Sequence, residues 1–128
     1  MTAFANTVID RRSNTPEEPV WEATIAQISW GNGETDTHTS AVAVIGVITQ
    51  IVATYSAAAA NITLIIQDAG ARQLYTTGAL ADGTTYVKKA DGADFGQNQL
   101  AVRNFIVSIT STDPGVGGVT ADIVIRGV

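Results

Sequence analysis

AVAVIGVITQIVATY, residues 41–55, is apolar on both of its alternating phases, rich in β-branched side chains, and free of any helical period. Four more runs of the same character follow: NITLIIQD (61–68), TTYVKKA (84–90), NFIVSIT (104–110) and VTADIVIRGV (119–128). Turn chemistry separates them, with Asp68-Ala69-Gly70, Asp82-Gly83 and Asp113-Pro114-Gly115 as the clearest signals. Runs of this length between such turns are strands, and the class is all-β, an antiparallel β-sandwich of jelly-roll type. The run at 41–55 is either a strand covered on both faces or one bent into two at Gly46.

Upstream, Val20–Trp30 alternates with Trp21, Ala23 and Ile25 on one phase, then shifts to Ile28 and Trp30. A phase shift inside one strand predicts a bulge. Asn32-Gly33 then predicts a turn, and the polar stretch through Ser40 reads as a loop. Downstream, Arg72–Thr77 is a short strand, four alanines at 57–60 form a linker able to make a helical turn, and 91–99 is a loop. Ala101–Thr112 is a strand with Arg103, Phe105, Val107 and Ile109 on one face. The segment 113–118 is a hairpin connection, and Val119, Ala121, Ile123 and Ile125 form the inner face of the last strand. The total is about seven or eight strands.

Residues 1–19 have no hydrophobic period and carry Pro16 and Pro19, which bias their predecessors to extended backbone. The domain division is therefore an extended N-terminal arm at 1–19 and a β-sandwich domain at 20–128. Phe4, Val8 and Ile9 give the arm apolar contacts for its own domain or for a neighbour, and Trp21 joins them as a partner-binding anchor.

A chain of 128 residues without cysteine has no disulfide, thiolate metal site or Cys nucleophile, and at this size needs no staple. Only 15% of residues are charged, below the usual share of about 25%, which suits either a surface partly covered by other chains or one solvated by Ser, Thr, Asn and Gln. The net charge is −5 and the seven Lys and Arg are scattered, so neither direct nucleic-acid binding nor a polybasic membrane contact is expected. The N-terminus lacks a basic segment followed by an apolar one, so it does not read as a secretory signal, and synthesis in a host cytoplasm is expected. The apolar run near 41–53 is interrupted by Gly46, Thr49 and Gln50 and is too short to span a bilayer as a helix.

Reactive chemistry is sparse. His38 stands alone; Glu34, Asp36 and His38 share a side if extended, yet no second His or Cys completes a metal site. The Asp91–Asn98 loop offers oxygens without the spacing of a calcium loop. Gly115-Val116-Gly117-Gly118 resembles a phosphate loop but lacks its Lys-Ser/Thr and leads into a strand. Asn61-Ile62-Thr63 has the form of a glycosylation acceptor but opens a strand expected to be buried. No enzyme activity, cofactor or metal is expected. Trp30 beside Asn32 and Glu34 is an arrangement that a glycan-binding face uses, and this is the alternative reading: a carbohydrate-binding module or a phage tail or fibre adhesin.

From residue 61 onward the order of strands and turns follows a pattern: LIIQDAG (64–70), RQLYTT (72–77), ADGTTYVKK (81–89), the Gly/Asp/Phe loop at 91–99, the long strand LAVRNFIVSIT (100–110), a Gly-rich turn and a terminal strand. This resembles the small β-sandwich virion proteins of tailed bacteriophages that decorate or cement capsids. The resemblance implies a structural virion protein that binds the major capsid protein or another virion protein and reinforces the shell. It further implies a homo-oligomer, with a trimer favoured, no catalytic residues, and an arm that reaches a neighbouring subunit.

Overall fold

A computed structural model describes residues 2–12, 20–56, 60–81, 85–89 and 100–128. They form ten strands: β1 (Thr2–Ala3), β2 (Thr7–Asp10), β3 (Trp21–Trp30), β4 (His38–Tyr55), β5 (Asn61–Gln67), β6 (Gln73–Thr76), β7 (Leu80–Ala81), β8 (Thr85–Lys89), β9 (Leu100–Ser111) and β10 (Val119–Gly127). There is no helix among the described residues. The architecture is all-β, antiparallel except for the β1–β4 pair, with jelly-roll-like connectivity. The predicted helical turn in the alanine linker and the turns and loop at 82–84 and 91–99 lie outside the described residues.

One strand organises the rest. β4 runs for 18 residues and serves both halves of the structure. Its first part, His38–Ile48, pairs with β9, which continues to β5 and β6. Its second part, Ile48–Tyr55, pairs with β10, which continues to β3 and β2. Ile48 pairs with Leu100 and with Gly127, so β9 and β10 hold opposite edges of β4. β8 pairs with Gln50–Thr54 on the edge that β9 occupies further up.

The apolar run at 41–55 is therefore one strand with a bend, for a reason visible in its register. Bulges fall on β4 between Val42 and Ile45 and at Thr49, either side of Gly46. The extra residue at Thr49 flips the inward phase, whereas the bulge before Gly46 leaves it unchanged on β4. Val42 and Val44 point inward before the bend; Ile51, Ala53 and Tyr55 point inward after it. A Cβ on Gly46 would lie 2.6 Å from the Val128 carbonyl and 2.8 Å from Trp21 Nε1, so only glycine allows this approach. The bend folds the two halves face to face over one core.

The bulge predicted in β3 is present. Ala121 pairs with Ile28 and Ile123 with Ile25, which leaves Ala26 and Gln27 opposite Asp122. Gln27 takes φ 57°, and its amide donates to the Asp122 carboxylate at 2.8 Å. Asn32-Gly33 turns the chain, with Gly33 at φ 77°. In β10, Val119, Ala121, Ile123 and Ile125 are all buried, as alternation requires.

Two strand readings need correction. Arg103 does not share the face of Phe105, Val107 and Ile109. Asn104 adopts φ 50° opposite the β4 bulge, which turns Arg103 outward while the other three stay inside. The 113–118 connection is not a hairpin, because β9 and β10 do not pair; β4 lies between them. Turn chemistry specifies a reversal but not the partner that the next strand finds.

Candidate functional site

Residues 2–12 run along the domain's own sheet. β1 lies parallel to the start of β4, with Thr2 against His38 and Ala3 against Thr39. Phe4 N–H donates to the Thr39 carbonyl at 2.7 Å. The Asn6 amide donates to the Ala41 carbonyl at 2.7 Å and to Ser40 Oγ at 2.8 Å. Ser40 Oγ in turn donates to the Phe4 carbonyl at 2.8 Å. Beyond Asn6 the chain crosses to the other half, where β2 pairs antiparallel with β3 from Thr7 against Thr24 to Asp10 against Trp21. Arg12 bridges back, donating to the Ile45 carbonyl and pairing with Asp10 at 2.6 Å. The Arg12 guanidinium holds the Asp10 carboxyl below the usual carboxylate range. The N-terminal segment thus closes the seam between β3 and the upper part of β4.

His38, expected on a solvated loop, is instead the first residue of β4 and only 2% exposed. Its ring lies between Trp30, at 4.6 Å between centroids, and Phe4, at 4.9 Å. Nε2 lies 3.0 Å from the Ser29 carbonyl, which can only accept, so Nε2 carries the hydrogen. Glu34 Oε1 is 3.7 Å away, and the other Glu34 oxygen accepts from Gly31 N–H at 2.8 Å. Nδ1 is buried with no hydrogen-bond partner among the described residues. The described residues hold no group of three or more His, Cys, Asp or Glu placed to share a metal ion.

The expected contact residues fall into two sets. Trp21 and Trp30 are interior, at 0% and 1% exposure. Trp21 packs on Phe105 and its Nε1 donates to the Val128 carbonyl at 3.3 Å; a Cβ on Gly127 would collide with its ring. Trp30 Nε1 donates to the Asp36 carbonyl at 2.8 Å. Neither indole has a free face, so Trp21 is not a surface anchor and Trp30 is not a sugar platform. Asn32 is exposed, and Glu34 is half-buried and occupied by Gly31. Phe4 and Val8 are half-buried against the domain's own core, and Ile9 is 46% exposed on β2.

β2 is an edge strand, paired on one side only among the described residues. Beside it the outer face is polar: Arg126 pairs with Glu22 at 2.7 Å and donates to Gln50 at 2.9 Å across three strands. A pocket of about 150 Å³ lies there, between Ile9, Trp21, Glu22 and Arg126.

The outer face of the other half differs. Ala41 on β4 pairs with Ile106 on β9, Thr39 pairs with Ser108, Ser108 pairs in turn with Ile65 on β5, and Ala43 lies in the β4 bulge; all of these are uncharged. Among the described residues, charge appears at its border, as Arg103 beside the 56% exposed Ile45, and as the Asp68–Arg72 ion pair in the turn after β5. Ala41, Ala43, Ala69, Phe105 and Ile106 line an apolar hollow of about 240 Å³ in this face. At the end of the molecule, Val116 is 94% exposed. Sequence reasoning assigned it no role. The available signal is a lone valine among glycines in a turn that is otherwise polar.

No protein-family model matches the chain, and no curated protein does. Among solved structures the chain is distantly similar to the VP2 subviral particle of infectious bursal disease virus, at 13% identity and TM-score 0.40 over 85% of this chain and 33% of that one. It is similar to tailspike protein 4 of bacteriophage CBA120 at 12% identity and TM-score 0.42, over 99% of this chain and 18% of that one. It is also similar to a β-glucosidase from Paenibacillus barengoltzii at 14% identity and TM-score 0.38, over 97% and 11%. The chain spans a third or less of each of these proteins. These are likenesses of β architecture. No helix among the described residues is long and apolar enough to cross a membrane.

Proposed function

We propose that this chain is a structural virion protein of a tailed phage that adheres to the capsid surface and reinforces it. The observation that carries the reading is the β2 edge. Thr7–Asp10 presents an unpaired ladder side among the described residues, with Ile9 46% exposed on it. An extended segment of a capsid subunit adds to such an edge through backbone hydrogen bonds, and an apolar side chain beside the edge supplies desolvated contact. The resemblance of residues 61–128 to capsid-decorating proteins supports the same role. Of the four residues expected to anchor a partner, Ile9 is the one positioned to do so, because Phe4, Val8 and Trp21 are spent on the domain itself.

The test is co-sedimentation of the purified chain with capsids assembled from the major capsid protein of the same genome. The chain is expected to pellet with the particles, saturate at a fixed ratio and raise their disruption temperature. Ile9→Lys is expected to weaken binding at least tenfold while the fold is kept. Absence of pelleting by the unaltered chain overturns the reading.

A further inference from the structure

The geometry points to a head-to-tail contact between copies of this chain, in which Val116 of one copy enters the hollow between Ala41, Ala43, Ala69 and Ile106 of the next. This does not rest on the capsid reading.

Val116 is held out on purpose-built backbone. It sits between Gly115, at φ 75°, and Gly117 and Gly118, at φ 95° and 68°, conformations that side-chain-bearing residues seldom take. The turn is braced from below. Asp113 accepts from Gly115 N–H at 2.9 Å and from Gly33 N–H at 2.8 Å, which ties this turn to the one after β3. Pro114 is buried, and Gly118 packs against the Trp30 carbonyl. A braced turn that exposes 94% of a valine to water pays a solvation cost that a loop of polar residues would avoid.

The hollow has the matching properties. Its volume of about 240 Å³ exceeds that of an isopropyl group, and three alanines, Val42, Phe105 and Ile106 line it with one polar residue, Asn104. Charge is complementary as well. The two turns around Val116 span 31–37 and 112–118 and contain Glu34, Asp36 and Asp113 with no lysine or arginine. The hollow is flanked by Arg103, which has no ion-pair partner among the described residues, while Arg72 near Ala69 is neutralised by Asp68 at 2.8 Å. An acidic end carrying an apolar knob therefore meets an apolar socket with one arginine unpaired among the described residues, Arg103, beside it. Because knob and socket are different patches, the contact is heterologous and builds a closed ring or an open row, not a two-fold dimer.

Sedimentation velocity of the full chain over a concentration series provides the test. The unaltered chain is expected to associate with rising concentration, more strongly at low than at high salt. Val116→Asp places a charge on an exposed tip and Ala43→Glu fills the socket from an exposed position; each is expected to weaken association at least tenfold with the melting temperature kept. The deciding step mixes the two variants. Val116→Asp retains a socket and Ala43→Glu retains a knob, so the mixture is expected to form a one-to-one dimer that neither variant forms alone. A chain that stays monomeric throughout, a Val116→Asp protein that associates like the unaltered one, or a mixture without heterodimer overturns the inference.

Discussion

Phe4 meets the imidazole of His38 edge-on, 4.9 Å between ring centroids, and the same imidazole lies 4.6 Å from the Trp30 ring on its other side. A residue near the chain's start thus covers the one histidine where the two halves of the sheet meet. Phe4→Ala removes that cover. About half of a phenylalanine's burial is at stake, so a loss of about 1–2 kcal/mol is expected. Chemical denaturation measures it, and amide exchange is expected to rise first at Phe4, Asn6 and Ser40. Removal of residues 1–12 is expected to cost more, since it also strips the partners of the Thr39 and Ala41 carbonyls. An arm that served only a neighbouring chain would leave stability unchanged.

Gly127→Ala drives a methyl group into the Val47 carbonyl and the Trp21 ring. Overpacking of this kind costs about 1–3 kcal/mol. The expected result is a lower melting temperature together with a changed near-ultraviolet signal from Trp21. Gly33→Ala, where no atom lies within 4 Å of the added carbon, is expected to cost less and to act through its φ of 77° alone.

The Tyr55 hydroxyl is buried and has no hydrogen-bond partner among the described residues. Tyr55→Phe removes an unsatisfied polar atom without opening a void, and is expected to be neutral or to stabilise by up to about 1 kcal/mol. Burial, with the Tyr86 phenol as a lesser cause, pushes the Tyr55 phenol above its ordinary value of 10.0. The folded state therefore holds this proton more tightly than the unfolded chain does. Its contribution is complete below pH 10 and is lost as pH rises beyond that value. In the Phe variant the alkaline fall in stability is expected to be shallower.

At acid pH the sign reverses. Hydrogen bonds from Gly115 and Gly33 hold the Asp113 carboxyl below its ordinary 3.8, and the Arg72 amide does the same first of all for Asp68. These carboxylates contribute stability above the unfolded value and lose it as pH falls through their lower folded values. Unfolding midpoints taken downward from pH 5 are expected to drop below about pH 4. Asp113→Asn is expected to flatten part of that drop.

Local pattern carried the strands because side-chain alternation and turn residues are short-range signals. The phase shift at Gln27 and the inward face of β10 were legible for this reason. His38 and Ser40 were not, because their polarity reads as loop until Ser29 on β3 and Phe4 in the N-terminal segment supply carbonyl partners. The burial of Trp21 depends on Gly46 and Gly127, far apart in the chain, leaving a slot for its ring. The apolar anchors expected at a partner surface were thus largely claimed by the domain, and Val116, set among glycines, gave no period to notice.

The passage of β4 through both halves has a mechanical meaning. In a sandwich whose layers touch only through side chains, a shearing force can slide one layer over the other at the cost of packing alone. Here a pull on β5 or β9 reaches β10 and β3 through the covalent backbone of a single strand, bent at Gly46. Slippage between the layers requires that strand's ladders to break on both of its edges, so the whole responds to load as one spring instead of two plates.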